Sequence, residues 1–241
     1  MRLLLSREGD AFLVEGAMHT RDGTIPAAVL SGAKPGESLR TNTGKEYFVL
    51  EPSFLDSYRR ISRKAQIIPL KDLGSIIIQA GIGKDSFVID AGAGSGALAC
   101  MLAHIARRVV SYDIRPDFLE VARKNAERLS LANLTLKDGD IRSAIEEREA
   151  DAMTIDIPDP WAVLDTAFAS LKVGGILVAY SPTVPQVMDF STAVRKHPGF
   201  LFLRTIEIIE REWESEERKV RPLTQQIGHS GFLSFARKVR S

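Results

Sequence analysis

The stretch Phe87 to Ala97, FVIDAGAGSGA, brings together residue types suited to a ligand-binding turn. Phe87, Val88 and Ile89 form an apolar run short enough for a strand buried on both faces. Asp90 ends the run. Gly92, Gly94 and Gly96 follow at alternate positions, where glycine permits a tight turn and lets a ligand approach the backbone closely. Leu98, Met101, Leu102 and Ile105 then share one face of a helix. Read as GxGxx(G/A) with Ala97 last, such a turn could seat a dinucleotide pyrophosphate on the helix N-terminus. Asp90 argues against that: a carboxylate just before the turn repels a pyrophosphate. It suits S-adenosylmethionine (AdoMet), which carries a sulfonium and an ammonium group and no phosphate. Asp113, roughly 20 residues past the glycines, ends a second apolar strand where either cofactor class has a ribose hydroxyl held. The combination points to AdoMet, with NAD or a plain structural turn as the alternatives.

Two further strand ends carry acids. Asp140, in KDGDI, could accept a hydrogen bond from a cofactor adenine amino group, or simply follow Gly139 in a turn. Asp156, in TIDIPDPW, is the sharpest feature. A carboxylate, two prolines and Trp161 make a rigid loop facing the position of a transferable methyl group, with the indole able to wall a pocket or stack on a base. The bland alternative is an ordinary strand-to-helix turn, with Asp159 as cap and Trp161 in the core. Cys100 lies in an apolar helix without a nearby base and reads as core. His19, His104, His197 and His229 are far apart, so no metal-ligand spacing is present.

These residues must be positioned by a chain of 241 residues, long enough for one large α/β domain and a small appendage. A single cysteine excludes an internal disulfide and fits a reducing cytoplasm. No run approaches the ~20 apolar residues of a membrane span, and the start MRLLLSREGD is too soon charged for a signal peptide. The formal net charge of +1 does not announce nucleic-acid binding, so any such binding rests on local patches. Residues 1–55 read as short strands separated by turns, for example Ala11 to Val14, Ala27 to Leu30 and Tyr47 to Leu50, with nothing helical. A bridging segment, residues 56–72, carries Arg59, Arg60, Arg63, Lys64 and Lys71. It is either a solvated helix face or a phosphate-contacting patch. Asp72 is a candidate N-cap for the helix Leu73 to Ala80.

From residue 73 to 241 the pattern alternates. Strands are expected at 87–90, 109–113, 134–138, 151–156 and 174–180, and helices at 96–107, 116–129, 141–148, 161–171 and 185–196. Alternation implies a parallel, doubly wound sheet with ligands at the carboxyl ends of its strands. Two strand-like runs follow, Phe200 to Trp213 and Gly228 to Val239, which should pair antiparallel. A parallel sheet closed by an antiparallel hairpin is the α/β, Rossmann-like class I AdoMet-dependent methyltransferase fold, here with a small N-terminal β domain. The charged segment Glu210 to Arg221 is open among a solvated hairpin tip, an RNA contact and an oligomer interface.

In this order, RRISRKAQIIPLKD, VIDAGAGSGALA, YDIRPDFLEVARKNAE, DIPDPW and RPLTQQIGHSGFLSFARK closely resemble the TrmI-type tRNA (adenine-N1)-methyltransferases over nearly the whole chain. The glycine turn is generic to methyltransferases; DIPDPW, the arginine-rich segment and GHSGF…ARK are far more specific. The resemblance implies AdoMet-dependent methylation of adenosine N1 in the tRNA T-loop, at position 58 and, in archaeal members, also 57. It implies a homotetramer, cytoplasmic and without metal or membrane. Asp156 becomes the catalytic carboxylate. Asp90, Gly92, Gly94, Ser95, Gly96, Asp113, Ile114, Asp140, Ile141 and Asp156 form the expected cofactor set. Arg59, Arg60, Arg63, Lys64, Gln66, Lys71 and Trp161 are the expected substrate contacts. The chain departs from the family where an aromatic residue and proline often precede the Lys-Asp pair; Pro69 and Leu70 stand there. Other classes compatible with the residues are a same-fold methyltransferase acting on a small molecule or protein side chain, and a non-catalytic RNA-binding subunit. The latter would be expected to have lost the glycines or Asp156.

Overall fold

The computed structural model describes residues 1–64 and 66–241. Ala65, within the expected bridging segment 56–72, lies outside the described residues. The chain divides into two compact units, Met1–Ile61 and Ser62–Ser241, the boundary falling inside that segment.

The first unit runs β1 (Arg2–Leu5), β2 (Ala11–Val14), β3 (Met18–Thr20), β4 (Gly23–Ile25), α1 (Ala27–Gly32), β5 (Ser38–Arg40), β6 (Glu46–Leu50) and α2 (Phe54–Tyr58). An antiparallel sheet in the order β2-β1-β6-β5 and a β3-β4 hairpin surround Leu4, Met18, Ile25, Leu30, Tyr47 and Val49. Lys45 fastens the turns by donating to Asp10 at 2.6 Å and Asp22 at 3.1 Å. The sequence reading of this region as free of helix is corrected twice. Ala27 to Leu30 is the helix α1, not a strand: Pro26, extended at φ −63° and ψ 148°, starts it, and Leu30 packs into the core from it. α2 is opened by a reciprocal capping box in which Ser53 and Asp56 satisfy each other's backbone N–H groups.

The second unit begins with α3 (Leu70–Gln79) and continues β7 (Phe87–Ala91), α4 (Ala97–Ile105), β8 (Arg108–Asp113), α5 (Pro116–Arg128), β9 (Leu134–Asp138) and β10 (Ala150–Ile155). A single 3-10 turn at Pro160–Val163 leads into α6 (Leu164–Ser170), β11 (Leu171–Ser181), α7 (Val184–Lys196), β12 (Phe200–Glu207), the hairpin β13 (Trp213–Glu216) and β14 (Lys219–Pro222), and β15 (Phe232–Lys238). Seven strands form one sheet in the order β12-β15-β11-β10-β7-β8-β9. The five from β11 to β9 are parallel, and β15 inserts antiparallel between β11 and β12. β7 is buried along its whole length, as a central parallel strand must be. This is the class I AdoMet-dependent methyltransferase fold.

Three local expectations fail for tertiary reasons. Residues 141–148 form turns, not a helix. Ile141 and Ile145 point into the core, and the buried Glu147 accepts from Lys137 Nζ at 2.6 Å and from the Tyr112 hydroxyl. Ile141 and Ile145 keep the i,i+4 spacing of a helix face, but the buried Glu147 does not, and its two hydrogen bonds accompany a turn conformation. α3 starts three residues earlier than expected, from Pro69, so Asp72 is a fully buried first-turn residue rather than the N-cap. The run after Phe200 stops as a strand at Glu207, and the Ile208 carbonyl is taken by Lys71 Nζ at 2.7 Å.

Candidate functional site

A cleft of about 760 Å³ opens at the carboxyl ends of β7, β8, β9 and β10. Gly92, Gly94, Tyr112, Asp113, Ile114, Asp140, Ile141 and Asp156 line it, with Gln66, Arg115, Arg142 and the loop Ile157 to Asp159. Seven of the ten expected cofactor residues therefore share one surface, with Asp156 at its end.

The turn after β7 is fixed from two sides. The N–H groups of Gly92 and Ala93 both donate to the Tyr112 carbonyl at 2.9 Å, and Gly94 N–H donates to Asp113 Oδ2 at 2.8 Å. Gly92 is held at φ +96°, and a Cβ there would collide with the backbone carbonyl of Asp156. Glycine is therefore required for β7 and β10 to close up beneath the cleft. Beside Gly94 the space is open.

Asp90, Ser95 and Gly96, also expected in the cofactor set, lie outside the residues that line the cleft. Asp90 is fully buried beneath it, accepting from Ser111 Oγ at 2.5 Å and Thr154 Oγ1 at 2.6 Å, so it ties β8 and β10 to β7. Burial, reinforced by the Asp113 charge, pushes its carboxyl up to about 6 against those two hydrogen bonds. Ser95 Oγ accepts the Lys64 N–H at 2.9 Å. Gly96 caps α4 in the left-handed region against Ala122 of α5.

Asp156 is different. Its N–H donates to the Ala91 carbonyl at 2.8 Å, which fixes the backbone at the end of β10. Its carboxyl has no hydrogen-bond partner among the described residues. Burial first, then the charges of Asp90 and Asp113, push that carboxyl up to about 7. At the other end of the cleft, Arg142 grips Asp140 through Nε at 2.9 Å and Nη2 at 2.8 Å, and reaches Asp159 of the proline loop at 3.2 Å. Arg142 holds the Asp140 carboxyl below the usual carboxylate range.

The expected substrate residues divide. Arg59 and Arg60 belong to the first unit, where Arg60 donates to the Ala11 carbonyl at 3.2 Å. Arg63, Lys64 and Gln66 are exposed in the second, and Gln66 reaches the cleft. Lys64 also pairs with Asp117 at 3.2 Å. Lys71 is largely buried and anchored within the second unit. Its Nζ donates to Asp72 at 2.9 Å, Ser230 Oγ at 2.6 Å and the Ile208 carbonyl. Trp161 is half-buried in the 3-10 turn and does not line the cleft.

Sequence reasoning missed Asn125. Buried on α5, its side chain accepts Ser62 N–H at 2.9 Å and donates to the Ser62 and Ser95 carbonyls, binding the basic segment to the glycine turn. Its lack of charge gave no signal; only its place on the inner face of an otherwise charged helix could have. The chemistry of the cleft fits AdoMet. Acids face the cationic end, Asp113 and Asp140 offer acceptors, and Tyr112, Ile114 and Ile141 supply apolar walls for an adenine.

Comparison with known proteins agrees with this geometry. Residues 58–221 match the protein family described as tRNA methyltransferase complex GCD14 subunit. The tRNA (adenine(57)-N(1)/adenine(58)-N(1))-methyltransferase TrmI of Methanocaldococcus jannaschii is 33% identical, over 98% of this chain and 94% of that protein. Among solved structures, a SAM-dependent O-methyltransferase from Thermotoga maritima superposes with a TM-score of 0.90 at 30% identity, covering 100% of this chain and 93% of the other. The tRNA (m1A58) methyltransferase TrmI from Aquifex aeolicus superposes at 0.86 with 25% identity, covering 100% and 97%. The conjunction of DIPDPW on the cleft, the glycine turn and full-length similarity leaves one assignment: the chain belongs to the TrmI family of tRNA (adenine-N1)-methyltransferases.

Proposed function

We propose that this protein methylates N1 of adenosine in the T-loop of tRNA at position 58, with 57 open as a second site because the name of its Methanocaldococcus jannaschii relative states both for that protein. The observation that carries the reading is the Asp156 carboxyl, unpartnered and facing an acid-lined cleft at the end of β10. AdoMet, when bound, supplies an electrophilic methyl group on a sulfonium. Gly92, Gly94, Asp113, Ile114, Asp140 and Ile141 would hold it.

Asp156 then acts on the base. Adenine N1 keeps its lone pair in the ring plane, and its exocyclic amino group becomes acidic as the ring gains positive charge. The Asp156 carboxylate accepts a hydrogen bond from that amino group, orients N1, stabilises the growing cation and is placed to accept its proton. The target is stacked within folded tRNA and has to be flipped out. Arg59, Arg60, Arg63 and Lys64 contact the phosphate backbone, which makes binding salt-dependent. The reading extends to a homotetramer in the cytoplasm, supported by the family resemblance and by the single, buried Cys100. Among the described residues no helix is long and apolar enough to cross a membrane.

The name of the Thermotoga maritima relative, an O-methyltransferase, favours a hydroxyl acceptor as the second reading. Methyl transfer from labelled AdoMet to unmodified tRNA separates the two. Label should appear, and should vanish when the T-loop adenosines are replaced; replacing them singly shows whether one position or two are used. Asp156→Ala should lower kcat by at least ~100-fold with AdoMet affinity changed far less. Full activity in that variant would end the assignment of Asp156, and absence of label despite AdoMet binding would move the acceptor elsewhere.

A further inference from the structure

The GHSGF segment, Gly228 to Phe232, is specific in sequence and has no part in the cleft lining. It is nevertheless held on every side. Ser230 Oγ donates to the fully buried Asp72 at 2.7 Å and accepts from Lys71. His229 places Nδ1 2.6 Å from Glu207 and Nε2 2.9 Å from the Pro182 carbonyl. The Ser230 carbonyl accepts the Tyr180 hydroxyl at 2.7 Å, and Gly231 lies so close to the Tyr180 ring that a Cβ there would collide with it.

Tyr180 stands beside Asp156. β10 and β11 run parallel in the register Thr154↔Val178 and Ile155↔Ala179, so Asp156 and Tyr180 are the residues that directly follow the last pair. The phenol is pushed up to about 12 by burial first, then by the charges of Asp72 and, more weakly, Asp156. A phenol near an unpartnered carboxylate should donate to it. Here it donates to Ser230 instead.

We propose that the Lys71–Asp72–Ser230 anchor is a positioning device that diverts the Tyr180 hydroxyl onto the Ser230 carbonyl, keeping the Asp156 carboxyl free for the amino group of the target base. The inference rests on the role of Asp156 proposed above. A carboxylate already accepting from a phenol would have a lowered pKa and one acceptor direction spent. The groups acting on Asp156 are Asp90 and Asp113, while Asp72 acts on Tyr180, Lys71 contacts Ser230, and the His229–Glu207 pair adjoins Ser230 in the chain. Asp72 and Ser230 touch neither base nor cofactor in this scheme; they act through Tyr180.

The test reads the Asp156 carboxyl directly, by carbon-13 NMR titration of the cofactor-free full-length chain labelled at aspartate, with the signal assigned by its loss in Asp156→Asn. The unsubstituted protein and Tyr180→Phe should share a midpoint near 7. Ser230→Ala should lower the midpoint by about one pH unit as the freed hydroxyl turns to Asp156, and shift the acid limb of the kcat profile with it, with KM for AdoMet little changed. Ser230→Ala combined with Tyr180→Phe should restore the original midpoint. Asp72→Asn, alone and with Tyr180→Phe, repeats the test should Ser230→Ala fold poorly. His229 ring signals, followed in the same samples, separate its titration from that of Asp156. An unchanged midpoint in the folded anchor variants, or a shift that persists without the hydroxyl, overturns the inference. Failure of the Asp156 assignment itself would look different: full methyl transfer by Asp156→Ala, whatever the NMR midpoints.

Discussion

Asp113 and Asp156 line one cleft above the buried Asp90, and burial first, then repulsion from Asp90 and Asp113, pushes the Asp156 carboxyl up to about 7. A cationic ligand in that cleft favours the ionised form, so binding and deprotonation are linked. AdoMet affinity measured by calorimetry should rise severalfold from pH 6 to pH 8, and Asp156→Asn should flatten that rise. Stability runs the other way. The folded-state pKa of Asp156 lies above the unfolded value near 3.8, so between about pH 4 and pH 7 the native state binds more protons than the unfolded one, and stability falls as pH rises through that window. Asp90, raised to about 6, adds to the same trend. Asp156→Asn removes its own share of the loss. At pH 8 the variant should melt higher than the unsubstituted protein by roughly 10 °C, with the difference closing toward pH 4. A variant melting lower at pH 8 would mean that the carboxylate has a stabilising partner.

The β7–turn–α4 unit carries the sharpest demand on backbone. Gly92→Ala combines an unfavourable φ of +96° with a collision against the Asp156 carbonyl, so the turn must move away from β10. Strain of ~1–3 kcal/mol and a misplaced cleft floor should lower both the melting temperature and AdoMet affinity. Gly94→Ala, with open space around its Cα, should leave the melting temperature closer to that of the unsubstituted protein. Equal losses in the two variants would contradict this difference. Such elements were legible in the sequence because a buried strand, a glycine turn and an amphipathic helix each leave a local pattern. Asp113, Asp140 and Asp156 were found by counting strand ends, and β12 and β15 pair antiparallel as expected. What escaped depends on partners distant in sequence. Lys71 looked like part of a basic run, yet Ser230 and Ile208 lie far along the chain. Asn125 carried no charge to draw notice, and in residues 141–148 Ile141 and Ile145 keep a helical period while Glu147 is held by Lys137 and Tyr112. Asp90 was placed by type rather than depth, and depth is set by Ser111 and Thr154 on neighbouring strands.

The second unit leaves apolar side chains in water on elements that end its sheet. Leu201 and Leu203 are 56% and 45% exposed on the edge strand β12, while the β13–β14 hairpin exposes Trp213 and Val220. An edge strand bearing exposed leucines invites pairing, and natural edges are normally blunted with charge, proline or a bulge. β12 has a register shift between Phe202 and Arg204, and the exposed Leu203 is the residue inside it. Such a surface fits contact with further copies of the chain, in keeping with the proposed homotetramer, and its disruption should change mass before it changes fold. Light scattering after gel filtration should give about 106 kDa, four times the 26.5 kDa chain. Leu201→Glu with Leu203→Lys should reduce that mass to a dimer or monomer while leaving the circular dichroism and AdoMet affinity of the cleft largely intact, because the cleft lies at β7 to β10 and not at β12. tRNA binding should weaken together with assembly if one tRNA spans more than one subunit, and should be kept if each subunit binds alone. A monomeric unsubstituted protein would refute the assembly and leave the fold and the chemistry of Asp156 untouched.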